Sequence, residues 1–179
     1  RLTPQKGINL ITNSIPWMVK NNMQVVILGT GDSELEKAVQ YYRDTYPNDV
    51  GVYLGFSNEL AHKVYGGCDM FLMPSLYEPC GLSQMISQRY GTVPLVREVG
   101  GLKDSVEPYN EYTKTGTGFS FTHHSGEDLR KMLYYASTFY FNKKDEWMSI
   151  VEQCMKKNNS WTKSAAEYLK VYNNLLKYK

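Results

Sequence analysis

No apolar run in this sequence approaches the ~20 residues that a helix needs to cross a bilayer. Nor does it carry the charged, apolar and small-residue succession of a secretory signal, so neither a membrane protein nor a secreted one is expected. Cysteine is scarce: Cys68, Cys80 and Cys154 are an odd number that cannot all pair within the chain, so no disulfide framework is implied. Small buried or half-buried thiols in a reducing compartment are expected, with the cytoplasm as the default and a plant plastid as the alternative if a transit peptide was removed. Long blocks of one charge are missing too. Twenty basic against 18 acidic residues leave +2, spread evenly, so neither nucleic acid nor an acidic membrane surface is called for as a partner. There is no internal repeat and no low-complexity tract. The Gly-Lys-Ser/Thr element of a P-loop occurs nowhere, and in the turn Gly29-Thr30-Gly31-Asp32 the place of the third dinucleotide-motif glycine is held by Glu34. A P-loop NTPase and an NAD-dependent oxidoreductase are both disfavoured.

What is present suits a single folded domain: 179 residues, 42% hydrophobic, are enough for one core and a tight fit for two. The chain opens at Arg1 directly on a helix-like segment, which suggests a piece of something longer. Short β-rich apolar runs at residues 24–29, 50–56, 70–74, 92–96 and 118–121 alternate with stretches of helical spacing at 7–21, 33–46, 57–65, 81–90 and 127–141. Two further helices are expected at the end, the last an amphipathic closing helix over 160–179. The strands are apolar almost throughout, as strands covered on both faces are. The fold class expected is therefore α/β, a Rossmann-like parallel sheet flanked by helices. Ser33 with Glu36, and Ser57 with Leu60, supply one full and one partial N-terminal capping pattern. The 15 tyrosines are scattered, which fits ordinary packing better than a base-stacking platform.

In such sheets ligands gather outside the carboxyl ends of the strands. The loops to inspect are 29–32, 56–58, 75–81 and 98–102. Gly29 and Gly31 allow close approach of a ligand, or equally form a plain strand-to-helix turn capped by Asp32. The loop Pro74-Ser75-Leu76-Tyr77-Glu78-Pro79-Cys80-Gly81-Leu82 holds a carboxylate where a strand hands over to a helix; it is suited to sugar hydroxyls, or is a solvated loop acid. Gly100 and Gly101, ahead of Leu102, put further backbone N–H groups at a helix start, where a diphosphate could sit.

Four stretches, Arg1-Leu2-Thr3-Pro4-Gln5-Lys6-Gly7, Pro74-Ser75 through Gly81-Leu82-Ser83-Gln84, Arg89-Tyr90-Gly91-Thr92-Val93-Pro94, and Gly100-Gly101-Leu102-Lys103-Asp104-Ser105-Val106, together resemble the bacterial glycogen synthase and plant starch synthase family. The resemblance runs over essentially the whole chain, residues 1–179, but matches only the C-terminal, nucleotide-sugar-binding domain of the family's glycosyltransferase-B architecture. The N-terminal acceptor domain has no counterpart here. It implies transfer of glucose from ADP-glucose to the non-reducing end of an α-1,4-glucan with retention and with no required metal or other cofactor. Arg1 and Lys6 match the basic pair that holds the diphosphate and stabilises the departing ADP. Glu78 matches the acid that binds donor-glucose hydroxyls, with the backbone of Cys80, Gly81 and Leu82 beside it. Phe56 matches an aromatic that stacks on adenine, although it also reads as the last core residue of its strand.

A second glutamate found seven residues beyond the first in the wider group is Ile86 here, as in the glycogen synthase branch. The family's N-terminal Lys-x-Gly-Gly-Leu element and cleft histidine are not matched by any residue; His62, His123 and His124 do not correspond, and metal binding by the latter two has no support. No base accompanies Cys80 in the sequence, so it reads as a backbone contact and not a nucleophile. The rival readings are a related transferase using UDP-glucose and a non-catalytic glucan-binding or regulatory module. The second leaves the joint presence of Arg1, Lys6 and Glu78 unexplained. By itself the chain is expected to bind and not to catalyse.

Overall fold

The apolar runs become strands and the periodic stretches become helices along residues 1–177, the part of the chain that the computed structural model describes. Residues 178 and 179 of the expected closing segment lie outside the described residues. The chain starts with a 3-10 turn, Pro4–Lys6, which a left-handed Gly7 ends. Residues 7–21, expected as one helix, form two: α1 (Ile8–Thr12) and α2 (Ile15–Lys20). Pro16 sits in the first turn of α2, where its missing N–H costs nothing, and cannot continue α1.

Strand β1 (Val25–Gly29) pairs in parallel with β2 (Val50–Leu54), and α3 (Ser33–Thr45) connects them. The cap of α3 is one residue earlier than the Ser33 pattern suggests. Asp32 accepts the Glu34 N–H at 3.0 Å, while Glu36 turns back to accept the Gly31 N–H at 2.8 Å, so two donors are met by carboxylates in the positive first turn. These contacts also hold the Glu36 carboxyl below its ordinary pKa, the bond from Thr30 being the main cause. After α4 (Asn58–Gly67), capped as expected by Ser57, comes a parallel three-stranded sheet in the order β3 (Met70–Met73), β4 (Val93–Arg97), β5 (Phe119–Phe121). Helices α5 (Ser83–Tyr90) and α6 (Gly100–Ser105) follow β3 and β4. The parallel sheet thus comes in two parts, and among the described residues no ladder joins β1 to β3. A cavity of about 680 Å³ separates them.

The main core lies under β4 and β5, against α7 (Gly126–Asn142) and α8 (Lys144–Lys156). Phe119 stacks on Trp147 and meets Phe139 and Tyr135 at ring-centroid distances of 5.8–6.3 Å. Each such aromatic contributes roughly 2–3 kcal/mol by leaving water. Coverage on both faces holds for β4, buried from Val93 to Val96, but not for β1 and β2, where Val26 and Tyr53 on one face are about half exposed. Cys154 is buried and Cys68 partly so, but Cys80 is exposed, against the expectation of a sheltered thiol. The final helix, α9 (Trp161–Leu176), is amphipathic as expected, yet none of its residues is buried.

Candidate functional site

At the carboxyl end of β3 the chain leaves the sheet as Pro74-Ser75-Leu76-Tyr77-Glu78. Glu78 is 7% exposed and forms an ion pair with Lys6, and the Ser75 hydroxyl donates to the same carboxylate oxygen at 3.3 Å. Sheltering a carboxylate from water costs free energy that such partners offset. Lys6 is the last residue of the 3-10 turn and directly precedes Gly7, the N-cap of α1. Its approach to Glu78 is set by the main chain. The Leu76 N–H donates to the Gln5 carbonyl at 2.8 Å, the Gln5 side chain donates to the Tyr77 carbonyl at 3.1 Å, and a Cβ on Gly7 would lie 2.1 Å from the Pro74 oxygen. Only glycine permits that contact, and its φ of +71° suits it as well.

The two glycines at the start of α6 meet the same loop. A Cβ on Gly100 would lie 2.2 Å from the Glu78 carbonyl oxygen, and one on Gly101 the same distance from that of Cys80. The Gly101 N–H donates to the carbonyls of Glu78 and Pro79, both at 3.1 Å, and the Leu102 N–H to Val99. The N–H groups of Gly101 and Leu102, expected as part of an anion cradle, therefore already hold protein acceptors, and both glycines let two main chains touch. The same holds for the Gly31 N–H, which Glu36 engages. Gly29 and Gly31 are tied to the N-terminal segment: the Leu2 N–H donates to Thr30 at 3.0 Å, the Asp32 N–H donates to Leu2 at 2.8 Å, and a Cβ on Gly31 would meet the Leu2 oxygen at 2.2 Å.

Residues 1–7 thus lace the β1 loop to the β3 loop. Lys6, Glu78, Cys80, Gly81, Gly100, Gly101 and Leu102 come together through these contacts, and Arg1 lines the cavity with Lys6 and Ser75. Cys80 and Leu82 are exposed beside Gly81, whose φ is +72°. Phe56 stands apart at the end of β2. That strand stops at Leu54, and the ring is 91% exposed, so Phe56 is no core residue.

Two positioning groups escaped the sequence reading. From the end of β4, Arg97 donates to the carbonyls of Ser75 (3.1 Å) and Leu76 (2.7 Å), and through Nε to Thr122 (3.2 Å), so that one guanidinium fixes the turn into Glu78. A lone charge closing an otherwise apolar strand was its signal. Gln84, fully buried in α5, donates to the Cys80 and Gly81 carbonyls at 3.1 and 2.8 Å and to Ser105 of α6 at 2.8 Å. Its signal was a polar set at 84, 87 and 88, at helical spacing. His124 has a buried Nε2 with no hydrogen-bond partner among the described residues, and burial first and the Arg97 charge second lower its pKa. His62 is a surface residue bonded to the Tyr90 hydroxyl at 2.6 Å.

Comparison with known proteins shows the family and the fold. The family described as glycosyl transferases group 1 matches residues 1–138. A glycogen synthase from Clostridium botulinum is 49% identical over 175 residues, which are 98% of this chain and 36% of that protein. One from Caldicellulosiruptor saccharolyticus is 50% identical over 177 residues, 99% of this chain and 37% of that protein. The chain thus spans little more than a third of the length of these curated relatives. Among solved structures, the catalytic domain of starch synthase IV from Arabidopsis thaliana, bound to ADP and acarbose, superposes with a TM-score of 0.89 at 33% identity, covering 97% of this chain and 36% of that one. A sucrose-phosphate synthase from Thermosynechococcus elongatus, 19% identical with a TM-score of 0.70, covers the whole of this chain and 44% of its own; it shares the fold. The fold is the C-terminal domain of a glycosyltransferase-B enzyme, and the chain belongs to the glycosyl transferases of group 1.

Proposed function

We propose that this chain is the donor-binding half of a glycogen or starch synthase, which transfers glucose from ADP-glucose to the non-reducing end of an α-1,4-glucan with retention. The observation that carries the reading is the near 50% identity to glycogen synthases over 98–99% of this chain. In this reading Arg1 and Lys6 receive the diphosphate, and a polyanion there draws the Lys6 ammonium from Glu78. The carboxylate, still held by Ser75, then accepts hydrogen bonds from donor-sugar hydroxyls. As the glycosidic bond breaks, negative charge grows on the departing diphosphate, and fixed cations lower the barrier most where that charge appears. The main chain of Cys80, Gly81 and Leu82 borders the sugar, and Phe56 offers a fully open ring face to the adenine. The glucan acceptor binds mainly through a domain outside this chain, and closure of the two excludes water from the cleft. No helix among the described residues is long and apolar enough to cross a membrane; the proposed site of action is the cytoplasm, a reducing compartment that the three free cysteines suit.

The test is glucose transfer to an α-1,4-glucan by the full-length protein, with ADP-glucose and UDP-glucose compared. Preference for ADP-glucose, with kcat/KM reduced at least ~10²-fold by Lys6→Ala, supports the reading. Preference for UDP-glucose overturns the donor assignment, and activity indifferent to Lys6→Ala overturns the role of the cation.

A further inference from the structure

Two buried glutamines stand one helical turn apart on α5, and with the end of α6 they tie the Cys80–Leu82 loop to a residue far along the chain. Gln84 and Gln88 are both fully buried. At one end, Gln84 donates to the Cys80 and Gly81 carbonyls. In a trans peptide the N–H points opposite to the carbonyl, and no peptide bond among the described residues is cis. Drawing both carbonyls inward to Gln84 therefore turns the Gly81 and Leu82 N–H groups outward, where neither has a protein acceptor among the described residues. Gly81 is left-handed and Leu82 right-handed (φ −109°, ψ −31°), the alternation in which successive N–H groups converge on one point.

The hold on Gln84 comes from behind. Its Oε1 has no partner among the described residues, so the amide is oriented from the Nε2 side alone, by those two carbonyls and by the Ser105 hydroxyl at 2.8 Å. Ser105 is the last residue of α6, and its hydroxyl donates in turn to the Gly101 carbonyl in the first turn of that helix. The Ser105 carbonyl accepts from two sides: from Gln88 at 3.1 Å and from the half-buried Lys157 ammonium, 52 residues away in sequence. Lys157 directly follows α8; burial lowers its pKa, with the Glu107 charge opposing. Asn159 donates to the Gln88 Oε1 at 3.2 Å, so both ends of that amide are engaged.

We propose that Lys157 is a positioning residue for the transfer reaction: by holding the Ser105 carbonyl it sets Gln84, and through Gln84 the direction in which Gly81 and Leu82 present their N–H groups to the donor. The proposal rests on the reading of residues 80–82 as the border of the donor sugar. Lys157 acts only through the residues between. A connected network of buried hydrogen bonds rigidifies what it touches, and here the rigidity is delivered to two main-chain donors. Such donors lower a barrier only when they are aimed before the reaction begins, so loosening the network slows turnover more than it weakens donor binding.

Steady-state kinetics of the full-length protein with ADP-glucose test it. Lys157→Met, which keeps the stem and removes the donor, is expected to lower kcat about 10-fold with KM within about twofold, and Lys157→Arg to restore kcat to within about threefold of wild type. In a Gln84→Met background, itself at least ~10-fold slower, the same change at Lys157 is expected to cost less than about twofold. A kcat of Lys157→Met within about twofold of wild type overturns the proposal, as does a loss confined to KM. A loss of about 10-fold that persists beside Gln84→Met overturns it too, because the lysine then acts by another route. Should circular dichroism show Lys157→Met unfolded, Asn159→Ala, at an exposed position, takes its place in the cycle, with a fall in kcat of about threefold expected and a kcat equal to wild type overturning the proposal. A wild-type protein that transfers no glucose overturns the donor-site reading and this proposal with it, whereas an active wild type with an indifferent Lys157→Met overturns this proposal alone.

Discussion

Removing the Lys6 ammonium is the most informative perturbation of the site, because it leaves the Glu78 carboxylate sheltered with only the Ser75 hydroxyl as a side-chain partner. Deleting one member of a fully buried ion pair costs about 3–5 kcal/mol, most of it the isolation of the other charge. Here the Lys6 side chain is 29% exposed, so water can enter on that side and the expected loss for Lys6→Ala is smaller, about 2 kcal/mol. For a chain of this length each kcal/mol moves the midpoint by about 2–4 °C, which gives a fall in Tm of about 4–8 °C. Glu78→Gln keeps a polar group in place and is expected to cost about 1 kcal/mol, and the double variant less than the sum by about 1 kcal/mol. Urea and thermal unfolding of the four proteins at pH 7 completes the cycle. If the two single losses add to that of the double within about 0.5 kcal/mol, the side chains are neighbours without being partners, and the electrostatic account of the site is wrong. Calorimetric titration with ADP adds a second axis: Lys6→Ala is expected to weaken ADP at least ~10-fold, as loss of a charge-assisted contact does.

Phe56→Ala is expected to leave stability within about 0.5 kcal/mol, since the ring touches little, while weakening ADP by about 1–2 kcal/mol through lost stacking; unchanged ADP affinity would remove Phe56 from the site. Gly101→Ala sets a methyl group 2.2 Å from the Cys80 oxygen, so α6 and the Glu78 loop must part, at a cost of about 1–3 kcal/mol in unfolding experiments. Arg97→Met, which keeps the stem and removes three donated bonds, is expected to lower kcat of the full-length enzyme more than it lowers Tm, and equal stability and kinetics to wild type would refute its positioning role. Tyr109 is pushed up to about 12, by burial first and then by its 2.9 Å bond to Glu146. Because the folded pKa lies above the unfolded one, the neutral phenol stabilises the fold fully below about pH 10, and this contribution disappears between about pH 10 and 12. Tyr109→Phe should therefore flatten the alkaline limb of the stability curve.

The strands were legible because β4 is buried from Val93 to Val96 with no polar residue in the run, and in β5 only Ser120 divides Phe119 from Phe121. The Ser57 cap was legible because it is met three residues on, by Leu60. Glu78 could be picked out from its place after a strand, but its partner could not: Lys6 lies 72 residues away, and no periodicity encodes a contact at that separation. Arg97 and Gln84 were missed for a related reason. Each looks like a routine polar residue of a strand end or helix, and only the tertiary fold shows that its donors are used up on carbonyls of another loop. Phe56 was ambiguous in sequence, since an aromatic after VGVYLG fits a strand equally well; Gly55, whose N–H still bonds Gly29, turns the chain out of the ladder one residue too early for that. The separation of β1 from β3 has no local signature at all.

The contact of Gly7 with Pro74 carries a consequence for how such a site changes over time. Main chain touches main chain there, and the peptide hydrogen bond from Leu76 to Gln5 reinforces it, so the geometry that brings the cation to the acid belongs to parts of the polymer common to all residues. Substitutions elsewhere can alter what surrounds the pair without moving it. If the proposed donor site is correct, new donor preferences are most accessible through the exposed positions 56, 80 and 82, whereas position 7 admits no alternative residue without dismantling the arrangement it serves.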